Sequence, residues 1–329
     1  MAETRLTNII TPDVFTDYTI ENWSVRNRFF QSGAVVDSPQ IGALLDGGGK
    51  LFEAPFWQNL TGDSEIPVEA TPQTVNSMSA LQSNIRRQVR TKAWGANALT
   101  NIQAGSKALD VFAQDVKDYW NGQYNTALIA SAVGVLNNNV EADGGDLLND
   151  QAAVSFTASM VFDSMALLGE NGVAGRSDST DFKMIIVHSI IYNSMQKAGL
   201  INTDYVSADG IEVPVPIYSF AGLEVIVDDG LTVASGVCTS ILCKAGAFQF
   251  GTSTMNFEPT SFERVEGRGF GVDEVYTRRC FAVSPVGQSW TEDDVAGTSP
   301  TFAELKIESN WDRVYAKANS KIVFLNSLK

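Results

Sequence analysis

This chain of 329 residues is short of several things, and each shortage removes a class of function. It has one histidine and three cysteines. With a single imidazole and no Cys-x-x-Cys, the usual zinc sets cannot be assembled. Cys238 and Cys243 share a strand-like stretch, VCTSILCKAG, at an odd spacing that points them to opposite faces of a sheet. Cys280 lies in another such run, and all three read as buried free thiols of a reducing compartment. No apolar run approaches the ~18–20 residues that a membrane span needs. The opening, MAETRLTNIITPDVF, lacks a basic segment followed by an apolar one, so no secretory signal is expected. Outside a secretory route, the sequon Asn59-Leu60-Thr61 has no consequence. Positive charge is also scarce: 23 Lys and Arg face 38 Asp and Glu, for a net −15. That balance opposes sequence-specific grip on duplex DNA, where cations neutralise phosphates. It does not oppose standing beside nucleic acid without holding it, because an acidic wall repels phosphate.

What is present is ample core material. The chain is 44% hydrophobic, 10% aromatic and 19% charged, enough for one large domain or two ordinary ones. Its patterning is α+β. Residues 1–48 carry isolated aromatics (Phe15, Tyr18, Trp23, Phe29, Phe30) with no sustained period and end in LLDGGGK. They read as an N-terminal arm that packs on something else, with a flexible joint at Gly47–Gly49. Residues 49–93 read as an extended β-hairpin: KLFEAPFWQNL, a loop-rich tip with Pro67 and Pro72, then the returning alternation MSALQSNIRRQVRTKAW. A hairpin with so few core residues is marginal alone and therefore needs a partner surface. Phe52, Phe56 and Trp57 are its candidate anchors, either on a neighbouring subunit or on the chain's own long helix. Arg86, Arg87 and Arg90, with Lys92, are expected to meet acidic surface on a neighbour.

The clearest helix is predicted over 103–136, roughly 50 Å long at ~1.5 Å per residue, and stopped by Asn137-Asn138-Asn139. A second helix is expected over 157–169 with Thr157 as N-cap, then a buried strand DFKMIIV and a helix SIIYNSMQKAG ended by Gly199. From about 211 the chain is β-rich. SPTFAELKIESNW reads as a short helix with a Thr301/Glu304 capping box, and KIVFLN as a closing strand.

Several stretches invite a catalytic reading and fail it. His188 stands at the end of an apolar strand, where a general base could sit, yet no Gly-x-Ser-x-Gly elbow occurs. The structural alternative is a strand-to-helix joint capped by Ser189. Gly267-Arg268-Gly269-Phe270-Gly271 resembles a phosphate loop, but a strand follows it instead of a helix, so it reads as a tip between strands. Gly47–Lys50 lacks the remaining Walker residues. Asp228-Asp229 precede Gly230 as a turn would, and residues 141–146 have too few oxygen ligands for a calcium loop.

The order of these pieces carries a resemblance. IVHSIIYNSMQKAGLI, FAGLEVIVDDG, TRRCFAVSPVGQSW and SPTFAELKIESNWDRVYAKANSKIVFLNS are similar to successive stretches of tailed-phage major capsid proteins of the Hong Kong 97-type fold. Thr301, Leu305, Asn310-Trp311 and Lys321-Ile322 match the last of them, while Ser284 stands where many relatives have His before Pro285. The resemblance implies an N-terminal arm, an extended loop, a long spine helix, a peripheral domain (94–137 and 246–285) and an axial domain (138–245 and 286–329). It implies a shell protein without enzymatic activity or cofactor, assembled in the host cytoplasm and residing in the virion. Its partners would be copies of itself in hexamers and pentamers, a portal, a possible decoration protein, and double-stranded DNA contacted non-specifically, with no membrane. An arm shorter than fifty residues implies a separate scaffolding protein. Arg268, in the Gly267–Gly271 tip, is a further inter-subunit candidate. The absence of Lys between Leu51 and Thr91 implies no covalent cross-link from the hairpin. Alternatives are a nanocompartment shell of the same fold, or a soluble α/β hydrolase using His188 and an Asp such as Asp228.

Overall fold

A computed structural model describes residues 28–31, 33–60, 62–67, 69, 73–98, 108–172, 182–208, 211–220, 222–253, 257–267 and 270–329. The expected arm residues Phe15, Tyr18 and Trp23, and Arg268, lie outside them. The chain opens with α1 (Arg28–Gln31), β1 (Val35–Asp37) and α2 (Pro39–Asp46), then β2 (Leu51–Trp57), β3 (Ala80–Arg86) and β4 (Gln88–Asn97). The long helix α3 (Ala108–Ala142) leads to β5 (Leu148–Ser155), α4 (Ala158–Ala166), β6 (Phe182–Val187) and α5 (Ser189–Lys197). Strands follow: β7 (Asn202–Ala208), β8 (Ile211–Phe220), β9 (Leu223–Val227), β10 (Val233–Ala234), β11 (Val237–Lys244), β12 (Phe248–Ser253), β13 (Thr260–Val265) and β14 (Val272–Pro285). The chain closes through β15 (Gln288–Trp290), β16 (Trp311–Arg313) and β17 (Ile322–Leu328).

Two sheets share α3. One has the order β1-β12-β14-β13, with β4 on the other edge of β14; the other runs β5-β17-β11-β6-β9-β8-β7, with β10 beside β11. The second sheet is buried on both faces through its middle, which is why β6 reads FKMIIV with no polar alternation after Lys183. Met184, Ile186, Ile241, Cys243, Ile322 and Phe324 point to α3. Ile185, Val187, Leu242, Val323 and Leu325 point to the layer of α4 and α5. Cys238 and Cys243 fall on these opposite faces, as their odd spacing requires. Burial pushes the Cys243 thiol up, so it stays protonated.

The long helix runs past its expected stop. Asn137–Asn139 lie inside α3 because tertiary partners use their amides: Asn138 Nδ2 donates to the Trp311 carbonyl at 2.6 Å, and Asn139 Oδ1 accepts from Leu147 N at 3.1 Å. Asparagine's weak helix propensity is a fraction of a kcal/mol and is outweighed by such bonds. In the C-terminal third of the helix, a Cβ at Gly134 would stand 2.1 Å from the Leu305 carbonyl and 2.3 Å from Trp311 Nε1. Only glycine lets the 305–311 segment approach this closely. The helix expected near 301–311 is instead a pair of 3₁₀ turns, Glu304–Lys306 and Glu308–Asn310. The capping box itself forms, with Glu304 N donating to Thr301 Oγ1 at 3.2 Å and Thr301 N to Glu304 Oε2 at 2.7 Å. The Trp311 indole donates to the Leu305 carbonyl at 2.8 Å, which holds the two turns apart from a continuous helix.

Candidate assembly interface

β2 and β3 form a two-stranded antiparallel hairpin in register from Leu51↔Arg86 to Trp57↔Ala80, and it belongs to neither large sheet. Its inner face is anchored at the base. Phe52 is buried with Ile85 against Ile41 and Leu45 of α2, and Phe56 meets Tyr315 edge-on at 4.8 Å. Trp57, one residue on, faces the other way and is 67% exposed. Beyond it, Leu60 (75%), Ile66 (86%), Val75 (94%) and Met78 (49%) project into solvent. The tip is closed by Thr74 N donating to Glu65 Oε2 at 3.0 Å, and hydrogen bonding from the Thr74 side chain, then from its backbone, holds the Glu65 carboxyl below its ordinary range. Trp57 also borders an open groove of about 640 Å³ with Phe56, Asn59, Val314, Tyr315 and Asn319. Five large apolar side chains left exposed on one hairpin make it the candidate interaction surface.

The arginines differ from expectation. Within the chain they are committed to its own groups, and none of these contacts needs a neighbour. Arg86 is buried; it pairs with Glu292 at 3.0 Å and donates to the carbonyls of Lys50, Arg87 and Thr298. Arg87 lies 5.0 Å over the Phe52 ring and donates to the carbonyls of Leu45 and Gly47. Arg90 donates to the Pro300 carbonyl at 2.6 Å and covers Phe302, its centre 4.1 Å from the ring centroid. Nothing in the spacing of Arg86, Arg87 and Arg90 distinguishes carbonyl-clamping from surface cations. Arg86 and Arg90 are received by a segment some 210 residues away in sequence, and Arg87 by carbonyls about 40 residues before it.

The 28–48 stretch likewise finds its partner within the chain. β1 runs parallel to β12 from Val35↔Phe248 to Asp37↔Phe250, and Ile41 and Leu45 are buried under β14 residues Cys280 and Ala282. At the far corner, β13 and β14 meet at the Gly267–Gly271 tip. Phe270 adopts a left-handed φ of 68° and is 72% exposed, and Phe262 of β13 is 71% exposed. Arg264 holds this tip by pairing with Glu266 (2.8 Å) and Asp273 (3.1 Å) and by donating to the Phe270 carbonyl. An aromatic between tip glycines was the available signal for the exposed Phe270.

His188 acts as a joint, and in a way that differs from the expected Ser189 cap. Its own Nδ1 accepts from Ile190 N at 3.2 Å and caps α5, while Ser189 N donates to Asp229 Oδ1 at 3.0 Å. Ser189 Oγ and Asp229 Oδ1 both lie nearest the same ring nitrogen, at 3.4 and 3.7 Å. A catalytic relay needs the carboxylate on one nitrogen and the nucleophile on the other. Asp228 turns away: it accepts from Gly230 N and from Asn125 Nδ2, as a turn residue does. Among the described residues no group of three His, Cys, Asp or Glu converges as metal ligands would, and no helix is long and apolar enough to cross a membrane.

A two-sheet body on a long helix, with a hairpin outside both sheets, is the architecture of Hong Kong 97-type shell proteins. The chain has that fold. It superimposes on the capsid of Ralstonia phage GP4 with a TM-score of 0.63 at 8% identity, covering 96% of each chain. It superimposes on the SrpI encapsulin complex from Synechococcus elongatus PCC 7942 with a TM-score of 0.55, again at 8% identity, covering 96% of this chain and 93% of that one. In sequence it is 28% identical over 330 residues to the major capsid protein of Bacillus phage SPP1, covering 98% of both. No family model matches the chain.

Proposed function

We propose that this chain is the major capsid protein of a tailed phage, whose copies close into an icosahedral shell around double-stranded DNA. The observation that carries this reading is the hairpin: its base is anchored by Phe52 and Ile85, while Trp57, Leu60, Ile66, Val75 and Met78 are left uncovered. A surface that each copy both presents and receives makes a heterologous contact, which closes into rings. The near full-length similarity to a phage major capsid protein supports phage over nanocompartment. A cargo-loaded nanocompartment is the second reading, supported by the encapsulin likeness; a cargo enzyme co-purifying in place of DNA favours it. The role is structural, and the peripheral (94–137, 246–285) and axial (138–245, 286–329) divisions are the parts that would tile the wall. A net charge of −15 suits a lining that lets DNA slide, with a separate scaffolding protein and a portal completing assembly. Residence is in the virion after assembly in the host cytoplasm. Phe56, Trp57 and Arg268 are the proposed inter-subunit contacts, and of these Trp57 is exposed.

Electron microscopy and sedimentation of the purified chain, alone and co-expressed with its scaffolding protein, test the reading. Closed shells are expected; a 35.5 kDa monomer under both conditions overturns it. With no Lys between Leu51 and Thr91, boiled shells are expected to run as monomers on a denaturing gel, and a ladder of covalent oligomers refutes that part.

A further inference from the structure

Among the described residues, the second sheet ends in two strands paired on one side only, β5 and β7. Each presents a row of backbone N–H and C=O groups with no strand beside it, which is a template for another chain. The first sheet guards its free edges. β4 carries Arg90 and Lys92, β13 carries Glu263 and Arg264, and β1 is three residues long. β5 (LNDQAAVS) and β7 (NTDYVSA) have eight and seven residues, one charge each, and no lysine or proline. The strands between them fix their relative direction. β5 is parallel to β17 and β6 to β9, while β17–β11, β11–β6, β9–β8 and β8–β7 are antiparallel. Four reversals restore the starting direction, so β5 and β7 point the same way. Rotation about an axis along the strands therefore brings β7 of one copy parallel to β5 of the next, and repetition closes a ring. The outward groups of β5 follow from its register. Phe324 N donates to the Leu147 carbonyl at 2.9 Å, with Phe324 opposite Leu148 and Asn326 opposite Asp150. Asn149 and Gln151 thus turn their backbone groups to β17, and the exposed Asp150 turns its N–H and C=O outward. An open groove of about 420 Å³ beside this edge, bordered by Val140, Leu148 and Asn326, leaves room for side chains of an added strand.

We propose that β7 of one copy pairs in parallel with β5 of its neighbour, joining the second sheets of a ring of copies into one continuous sheet, with the outward N–H and C=O of Asp150 inside the new ladder. The occupant of each edge is a second copy of this chain, because the two edges belong to one sheet, run in one direction and match in length. Pairing of this kind draws on main-chain hydrogen bonds and asks little of the side chains. β5 leaves its register with β17 after Gln151, so Leu148–Gln151 is the straight run that seats the added strand. The ring rests on the capsid reading.

Proline at position 150 tests the pairing, since it removes one outward N–H and spares the β17 ladder. Asp150→Pro should melt close to the parent, whereas Gln151→Pro, which removes an inward N–H, should melt lower. The shell yield of Asp150→Pro, co-expressed with the scaffolding protein, should fall by about tenfold or more, because a backbone hydrogen bond is worth up to roughly that factor at each contact round the ring. Asp150→Ala keeps the N–H and should assemble as the parent does. Parental yield from Asp150→Pro overturns the pairing and leaves the capsid reading intact, as does an equal loss of yield in Asp150→Ala. If Asp150→Pro does not fold, cysteine pairing decides. Asp150→Cys is combined in turn with a cysteine at each position from Asn202 to Ala208, the three native cysteines being buried. Oxidised shells of at least one combination should run on a denaturing gel as a reductant-sensitive ladder of oligomers. No ladder from any combination overturns the pairing, and so do dimers from Asp150→Cys alone, which would set β5 against β5. A parent chain that forms no shells overturns the capsid reading, and the ring with it.

Discussion

The strands β6, β11 and β17 and the strands β2 and β3 are built to opposite rules. In the first group almost every side chain is buried on one face or the other, so each position is decided within the subunit. In the second, the inner face is settled near Phe52 and Ile85 and the outer face is left open from Trp57 onward. The contrast separates residues that make the subunit from residues that make contacts beyond it. Buried apolar area stabilises a fold by roughly 25 cal/mol per Å² wherever it lies, but an exposed ring contributes only when something covers it.

Substitutions can break or sharpen that contrast. The largest effect is expected at Gly134→Val in α3, where even a Cβ meets the Leu305 carbonyl at 2.1 Å. A cost of about 3 kcal/mol or more should leave the chain insoluble or unfolded in circular dichroism; a normal melting curve would show that the 305–311 segment can move aside. Next comes Ile186→Ala against Trp57→Ala. The buried Ile186 should cost about 2–5 kcal/mol in denaturant unfolding. The exposed Trp57 should cost under about 0.5 kcal/mol yet lower shell yield, and full yield from Trp57→Ala would deny the hairpin its contact role. A third, smaller effect is His188→Ala, which loses the α5 cap for about 1 kcal/mol, with His188→Asn recovering part of it. Equal melting temperatures for all three chains would show the cap to be idle.

The smallest effect is one of pH. Burial pushes the Asp146 carboxyl up, but hydrogen bonds from Arg313 and Asn139 outweigh it and hold the group below the ordinary carboxylate range. A depressed acid contributes stability that is complete above its unfolded pKa and disappears as pH falls through the folded one. The grip of Arg313 on the end of α3 should therefore persist at neutral pH and loosen only below about pH 4. An acid titration of tryptophan fluorescence, compared between parent and Asp146→Asn, reads this directly. Identical titrations would remove Asp146 from the account.

The same contrast explains what could be read in advance. Strands buried on both faces announce themselves as unbroken apolar runs, so FKMIIV and KIVFLN were legible, as was the long period of α3. The alternation of Leu51–Trp57 and Ala80–Arg86 was legible as a two-stranded hairpin, but residues 88–93, read as its continuation, belong to β4 and pair with β14 in the first sheet. Asn137–Asn139 misled because helix propensity is local and their partners, Glu308, Trp311 and Asp146, are not. Arg86, Arg87 and Arg90 misled for the same reason. Apart from Glu292, their acceptors are backbone carbonyls, which every residue carries, so no side-chain pattern could point to Thr298 or Pro300. The lone histidine was legible as a joint, but the identity of the capping atom depended on a ring orientation that spacing does not encode.

The long helix has one more consequence. Thirty-five residues at about 1.5 Å each make α3 a rod of about 52 Å. It is gripped near one end by Thr277 on the Trp120 indole and near the other by the 3₁₀ turns on Asn138. Adding a single residue between those grips would turn one end by about 100° relative to the other and break both. Only insertions close to whole turns, in steps of about 5.4 Å, would keep both ends in phase. The rod is therefore a ruler with coarse graduations. A lineage carrying it could change the span of its building block only by jumps, while the uncovered hairpin tip can drift in length one residue at a time.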